Sequence, residues 1–143
     1  MPKPEDRSDS AQERLGSNWL AGILRASRPS ELFMVKRKSF LEMDCPIAQC
    51  LEVAGEWWSP LIMRNVVIGQ MTRFDQIQRD LSIAPNVLTD RLAALVEGGL
   101  LERNQYSTRP PRFEYVATKA GKDFETVLDA MYSWGAKWTN AAK

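Results

Sequence analysis

The sequence predicts a mainly α-helical domain that carries one small β-hairpin, and three observations lead there. From residue 46 to residue 98, apolar side chains recur at helical spacing between proline or capping starts and glycine stops. From 100 to 117 the pattern changes to two short extended runs around a turn-forming segment. From 118 onward the helical period returns and holds to the end of the chain.

The elements follow in order. Residues 1–18 are polar, alternate in charge and carry two early prolines, so they are expected to be a flexible tail. Residues 19–44 read as an N-terminal arm that is partly helical, because Trp19, Leu20, Ile23 and Leu24 have amphipathic spacing before Arg28-Pro29-Ser30 interrupts them. The domain proper is expected over 45–143. Pro46 at a first-turn position makes Cys45 an N-cap, with Ile47, Cys50, Leu51 and Ala54 as an inward stripe ending at Gly55. Ser59-Pro60 opens a second helix, Leu61 to Ile68, closed by Gly69. Thr72-Arg73-Phe74-Asp75 has the form of an acidic capping box and starts a third, with Phe74, Ile77 and Leu81 inward. Pro85 starts a fourth, whose stripe is Leu88, Leu92 and Leu95 and whose stop is Gly98-Gly99.

Leu100 to Gln105 and Phe113 to Ala117 read as strands, joined by Tyr106 to Arg112 as a turn with two arginines and Pro110-Pro111. Thr118 caps one long closing helix. Its residues Phe124, Val127, Met131, Trp134 and Trp138 are spaced 3, 4, 3, 4, the pattern of a coiled-coil seam and hence of a dimer interface.

Composition removes many functions. The chain has 143 residues, roughly one domain. It has no histidine, which excludes Ser-His-Asp and Cys-His catalysis and His-ligated zinc. Two cysteines cannot form a four-thiolate metal site. No pair of carboxylates is placed for acid–base work, and no Gly-rich phosphate loop is present, so an enzyme is not expected, nor a cofactor. There are 19 Lys+Arg against 18 Asp+Glu, so bulk charge supplies no long-range field and a nucleic-acid site must come from local arrangement. No apolar run approaches the roughly 18 residues of a membrane span. No signal-peptide core is found at the start, so a cytoplasmic protein with reduced thiols is expected.

Three helices, a hairpin with a basic tip and a closing helix make the plan of a winged helix-turn-helix. The short connector Ser82-Ile83-Ala84 forces a steep crossing, and in that geometry the second helix lies in the major groove of duplex DNA. Its exposed positions are Pro85, Asn86, Thr89, Asp90 and the flank of Arg91. Asn bonds adenine bidentately, Thr touches a thymine methyl, and Arg takes guanine or phosphate. Arg109 and Arg112 on the hairpin face a neighbouring backbone or minor groove, and Arg73 at the third helix start joins this set. Two readings stand for Arg103: a phosphate contact, or a brace of the wing against Glu102 or Asp90.

CPIAQCLEVAGEWWSPLIMRNVV, TRFDQIQRDLSIAPNVLTDRLAALVEGGLLERNQYSTRPPRFEYVATKAGKDF and the closing WGAKW together resemble the HxlR-type transcriptional regulators, a MarR-like branch of bacterial winged-helix repressors and activators. The likeness covers about Cys45 to Trp138 and rests on ordered matches such as Cys45-Pro46, Gly55 with Trp57, Arg73-Phe74, Leu88-Thr89, Arg91-Leu92 and Pro111-Arg112. The resemblance implies a homodimer joined through its first and last helices and a two-fold operator. It also implies a response to oxidants, electrophiles or small aromatic compounds. The sequence departs from the family at Ala84, where a serine is usual, which removes a cap worth about 1 kcal/mol. Asn86 and Asp90 also replace residues that are often basic or amide.

Cys45 is the redox candidate, since a thiol at a helix start faces the positive end of the macrodipole and some relatives sense through this cysteine; an inert buried cap is the plainer reading. Cys50, on the apolar stripe, is expected to be a core thiol. Trp57, Trp58, Tyr132 and Trp134 are candidates for an effector pocket, against core or dimer interface. The basic triplet Lys36 to Lys38 reads as a solvated turn or an extra DNA contact. The competing function is a winged-helix interaction module that binds protein without specific DNA binding, which the near-neutral charge favours.

Overall fold

The structure, a computed structural model, describes residues 38–142. The tail over 1–18, the arm up to residue 37 and most of the basic triplet lie outside the described residues. The compact unit begins at Ser39, earlier than the expected boundary at Cys45. Helix α1 (Pro46–Ala54) gathers this lead-in: Gln49 Nε2 donates to the carbonyls of Phe40 (3.2 Å), Leu41 (3.2 Å) and Met43 (2.8 Å). Glu52 Oε2 accepts from the Phe40 N–H at 2.9 Å.

Cys45 caps α1 in extended backbone with Pro46 behind it, as the sequence predicts, and its side chain makes no cap bond. Of the expected inward stripe only Ala54 is buried. Ala48 and Ala54 are the buried residues of α1, while Ile47 is 73% exposed and Leu51 45%, and Cys50 is exposed and not a core thiol. Spacing tells which residues share a face; it does not tell what covers that face.

Helix α2 (Trp58–Val67) buries Ile62, Met63 and Val66. It also buries Asn65, whose amide donates to Asp80 Oδ2 (2.9 Å) and whose Oδ1 accepts from Arg64 (2.8 Å). Asp80 is therefore a tie to α2, not a merely solvated carboxylate. Helix α3 (Phe74–Leu81) is capped at Arg73, whose N–H donates to Gln76 Oε1 at 3.2 Å. The expected box at Thr72 with Asp75 is displaced by one residue, and Asp75 instead pairs with Arg79 at 3.0 Å. Ser82 turns the chain in the left-handed region (φ 50°). Helix α4 (Pro85–Glu97) then follows with Leu88, Leu92 and Leu95 fully buried.

Gly99, at φ 80°, directs the chain into the hairpin, a conformation that a β-carbon would penalise. Strands β1 (Leu101–Thr108) and β2 (Pro111–Ala117) are antiparallel, in register from Leu101 opposite Ala117 to Thr108 opposite Pro111, with an irregularity at Tyr106. The ladder takes in most of the segment expected as a turn, and only Arg109-Pro110, joined by a cis peptide, lies between the strands. The Tyr115 N–H donates to the Thr72 carbonyl at 2.7 Å and hooks the wing to the start of α3.

The closing helix is two helices. Helix α5 (Lys119–Asp123) is capped by Thr118, whose Oγ1 accepts from the Gly121 N–H at 3.1 Å and donates to the Gly99 carbonyl at 2.6 Å. Helix α6 (Glu125–Trp138) follows a break at Phe124. That break turns Phe124 into the domain's own core, where it is 8% exposed, so it is not a seam residue. Val127, Met131, Trp134 and Trp138 keep their seam spacing and are exposed. The core is one cluster spanning α1, α2, α3, α4, β1, Phe124 and α6, and the architecture is a winged helix-turn-helix. Among the described residues no helix is long and apolar enough to cross a membrane.

Candidate nucleic-acid interface

The buried leucine stripe fixes which side of α4 looks outward. With Leu88, Leu92 and Leu95 held in the core, the first turns present Pro85, Asn86, Thr89 and Asp90 to solvent. Ala84 at the N-cap supplies no side-chain hydrogen bond. The Thr89 hydroxyl donates to the Pro85 carbonyl at 2.9 Å, which spends its proton within the helix and leaves its methyl outward. Asn86 and Asp90 have no hydrogen-bond or ion-pair partner among the described residues, so their polar ends are available to a ligand.

The wing gathers the arginines around aromatic rings. The Arg73 guanidinium carbon lies 5.0 Å from the Tyr106 ring centroid, and that of Arg103 lies 3.6 Å from the Phe113 centroid. Arg103 therefore stacks across the hairpin and forms no ion pair with Glu102 or Asp90. Such stacking holds a guanidinium in place while leaving its N–H groups able to donate. Arg73, Arg112, Tyr106 and Phe113, with Phe74 and Asp75, line a hollow of about 340 Å³. Arg109 at the turn and Arg112 beside it are exposed and unpaired among the described residues. Tyr106 and Phe113 are site residues that the sequence reading missed; the signal was basic and aromatic residues alternating along two strands.

Arg91 does not join either group. Its NH1 lies 3.6 Å from Glu56 Oε1, beside the end of α1, and both side chains are half-buried. The sequence placed it on the DNA-facing flank.

The sensing candidates are scattered. Cys45 is half-buried at the α1 N-cap. Trp57 is 80% exposed and meets the half-buried Trp58 edge to face, centroids 6.1 Å apart. A groove of about 570 Å³ lies between α2 and α6, lined by Leu61, Ile68, Leu128, Met131 and Tyr132 with the charged Arg64 and Asp129. Of the four residues expected to form an effector pocket, only Tyr132 lines it; Trp57, Trp58 and Trp134 do not.

Residues 53–143 match the HxlR-like helix-turn-helix family. A Mycobacterium tuberculosis protein described as an uncharacterized HTH-type transcriptional regulator is 39% identical over 92 residues, 64% of this chain and 58% of that protein. The chain thus spans less than two-thirds of the length of the mycobacterial relatives it matches. Among solved structures, a candidate transcription factor from Pseudomonas aeruginosa is 53% identical with a TM-score of 0.54, covering 69% of this chain and 68% of that one. The redox regulator HypR in its oxidized form is 30% identical with a TM-score of 0.60, covering 68% of this chain and all of HypR's. The order of the elements and the match over most of the compact unit agree: the protein belongs to the HxlR-like helix-turn-helix family.

Proposed function

We propose that the protein binds a two-fold symmetric duplex operator as a homodimer, with α4 in the major groove and the wing on the adjacent backbone or minor groove. The observation that carries this reading is the outward, unpaired start of α4. There Asn86 offers the bidentate pattern that fits adenine, Thr89 a methyl that fits thymine, and Asp90 an acceptor that fits the cytosine amine. The unpaired Arg109 and Arg112 supply phosphate or minor-groove contacts, and Arg73 and Arg103 add cations held on aromatic rings.

Fluorescence anisotropy against the duplex upstream of the protein's own gene, with a scrambled duplex as reference, tests it. Binding is expected to weaken steeply with salt, and Arg109→Ala to reduce the log–log slope by about one. Asn86→Ala is expected to cost about 1–3 kcal/mol on the specific duplex and little on the scrambled one. Salt-insensitive binding without sequence preference, on this duplex and on a selected random pool, overturns the reading and favours a protein-interaction module.

Redox control is the second part of the proposal, supported by Cys45 at the α1 N-cap and by the likeness to a redox regulator. Binding is expected to change after diamide treatment, and Cys45→Ser to abolish that change while Cys50→Ser preserves it. The α2–α6 groove is of a size that suits a small aromatic effector; saturable chemical-shift changes at the Met131 methyl and the Tyr132 ring on titration with benzoate-like and quinone-like probes read that occupancy.

A further inference from the structure

We propose that Arg91, although it stands on the recognition helix, is a positioning residue that braces α4 against the end of α1 through Glu56 and does not touch DNA; this rests on the DNA-binding reading of α4. On an ideal helix each residue turns by about 100°, which sets Arg91 about 60° from the buried Leu88, whereas Asn86 and Asp90 lie about 160° away. Arg91 thus leaves α4 on the side of its own domain. Its NH1 reaches Glu56 Oε1 at 3.6 Å, and its Nε is shielded from solvent with no hydrogen-bond partner among the described residues. With Nε shielded and NH1 directed at Glu56, the guanidinium is held against its own domain.

Glu56 directly follows Gly55, the C-cap of α1, so the pair joins the recognition helix to the helix that begins at Cys45. A second contact runs in parallel: Val53 of α1 packs so tightly on Gly98 that a β-carbon there would lie 2.8 Å from Val53 Cγ1. Two ties, one at the middle of α4 and one at its end, make the orientation of α4 depend on that of α1. A change at the start of α1 therefore has a rigid path to the DNA-reading face.

Two measurements test the brace on the full chain. In heteronuclear NMR, the Arg91 Nε–H resonance, assigned by its loss in Arg91→Ala, is expected to exchange slowly with solvent. In Glu56→Ala it is expected to shift and exchange faster. In duplex binding, Arg91→Ala and Glu56→Ala are each expected to weaken affinity about fivefold with the salt slope unchanged, and the double variant to be no weaker than either. The swapped pair, Glu56→Arg with Arg91→Glu, is expected to recover most of the loss. Arg91 exchange that ignores Glu56→Ala overturns the proposal, and so does an Arg91→Ala slope lower by about one while Glu56→Ala binds normally. If the wild type binds no duplex, the functional reading fails while the NMR arm still decides the brace.

Discussion

Asn65 shows how one buried amide organises the start of the site. It lies 3% exposed among the apolar residues Ile62, Met63 and Val66 and joins Arg64 on α2 to Asp80 on α3, so the helix that precedes the recognition helix is held by polar as well as apolar contacts. Asn65→Ala removes the amide donor to Asp80 and one of the two acceptors of Arg64, whose direct bond to Asp80 at 3.2 Å remains. It is expected to cost about 1 kcal/mol in urea unfolding, the usual net worth of a lost hydrogen bond, because the partners left behind reach solvent and still pair with each other. Leu92→Ala, at a fully buried position, is expected to cost about 3 kcal/mol by opening a cavity. The two differ in legibility. The leucine stripe is written in its own 3.6 period, and all three of its members are buried. Asn65 has a partner fifteen residues away on another helix, which no local pattern encodes.

At the scale of elements, the closing segment is where sequence periodicity and packing part. One helix was expected from Thr118 onward, and the break at Phe124 replaces it because the aromatic ring is worth more in the core than on an exposed seam. Thr118 holds the junction. Its hydroxyl caps α5 and ties that helix to the Gly99 turn, so Thr118→Ala is expected to lower the unfolding free energy by about 1–2 kcal/mol. Gly121 sits where α5 meets the Leu100 backbone and the end of β2 at Ala117, and a β-carbon there would run into the Leu100 carbonyl. Gly121→Ala is therefore expected to cost more, about 3 kcal/mol, because a backbone carbonyl must shift, whereas Gly135→Ala, with no atom of its own chain within 4 Å, is expected to be neutral or stabilising. Circular dichroism melts of the three variants check this order. The wing was legible as two strands, but its length was not: proline and arginine signal a turn without saying that the ladder continues to Thr108 and Pro111.

At the scale of the whole molecule, the compact unit leaves more apolar surface in water than its fold requires. Ile47 and Leu51 on α1, with Met131, Tyr132, Trp134 and Trp138 on α6, are all at least 45% exposed. Large exposed apolar groups of this kind mark association surfaces in water-soluble proteins. The sequence supplied the seam spacing of α6 but assigned the α1 stripe to the core. Both faces have the same physical account if the domain core is small and the remaining stripes are completed by a second copy. Each copy then presents one α4, and a dimer places two of them on one duplex, which makes affinity for a two-fold site exceed that for a half-site through effective concentration. Met131→Glu with Trp134→Glu places charge on residues already exposed in the single chain, so helicity is expected to be unchanged. Sedimentation is expected to report a monomer, and affinity for the two-fold duplex to fall by at least about tenfold while half-site affinity holds. A double variant that still sediments as a dimer and binds the two-fold duplex normally would place the interface elsewhere and leave the aromatic face of α6 free beside the α2–α6 groove, which shares Met131 with it.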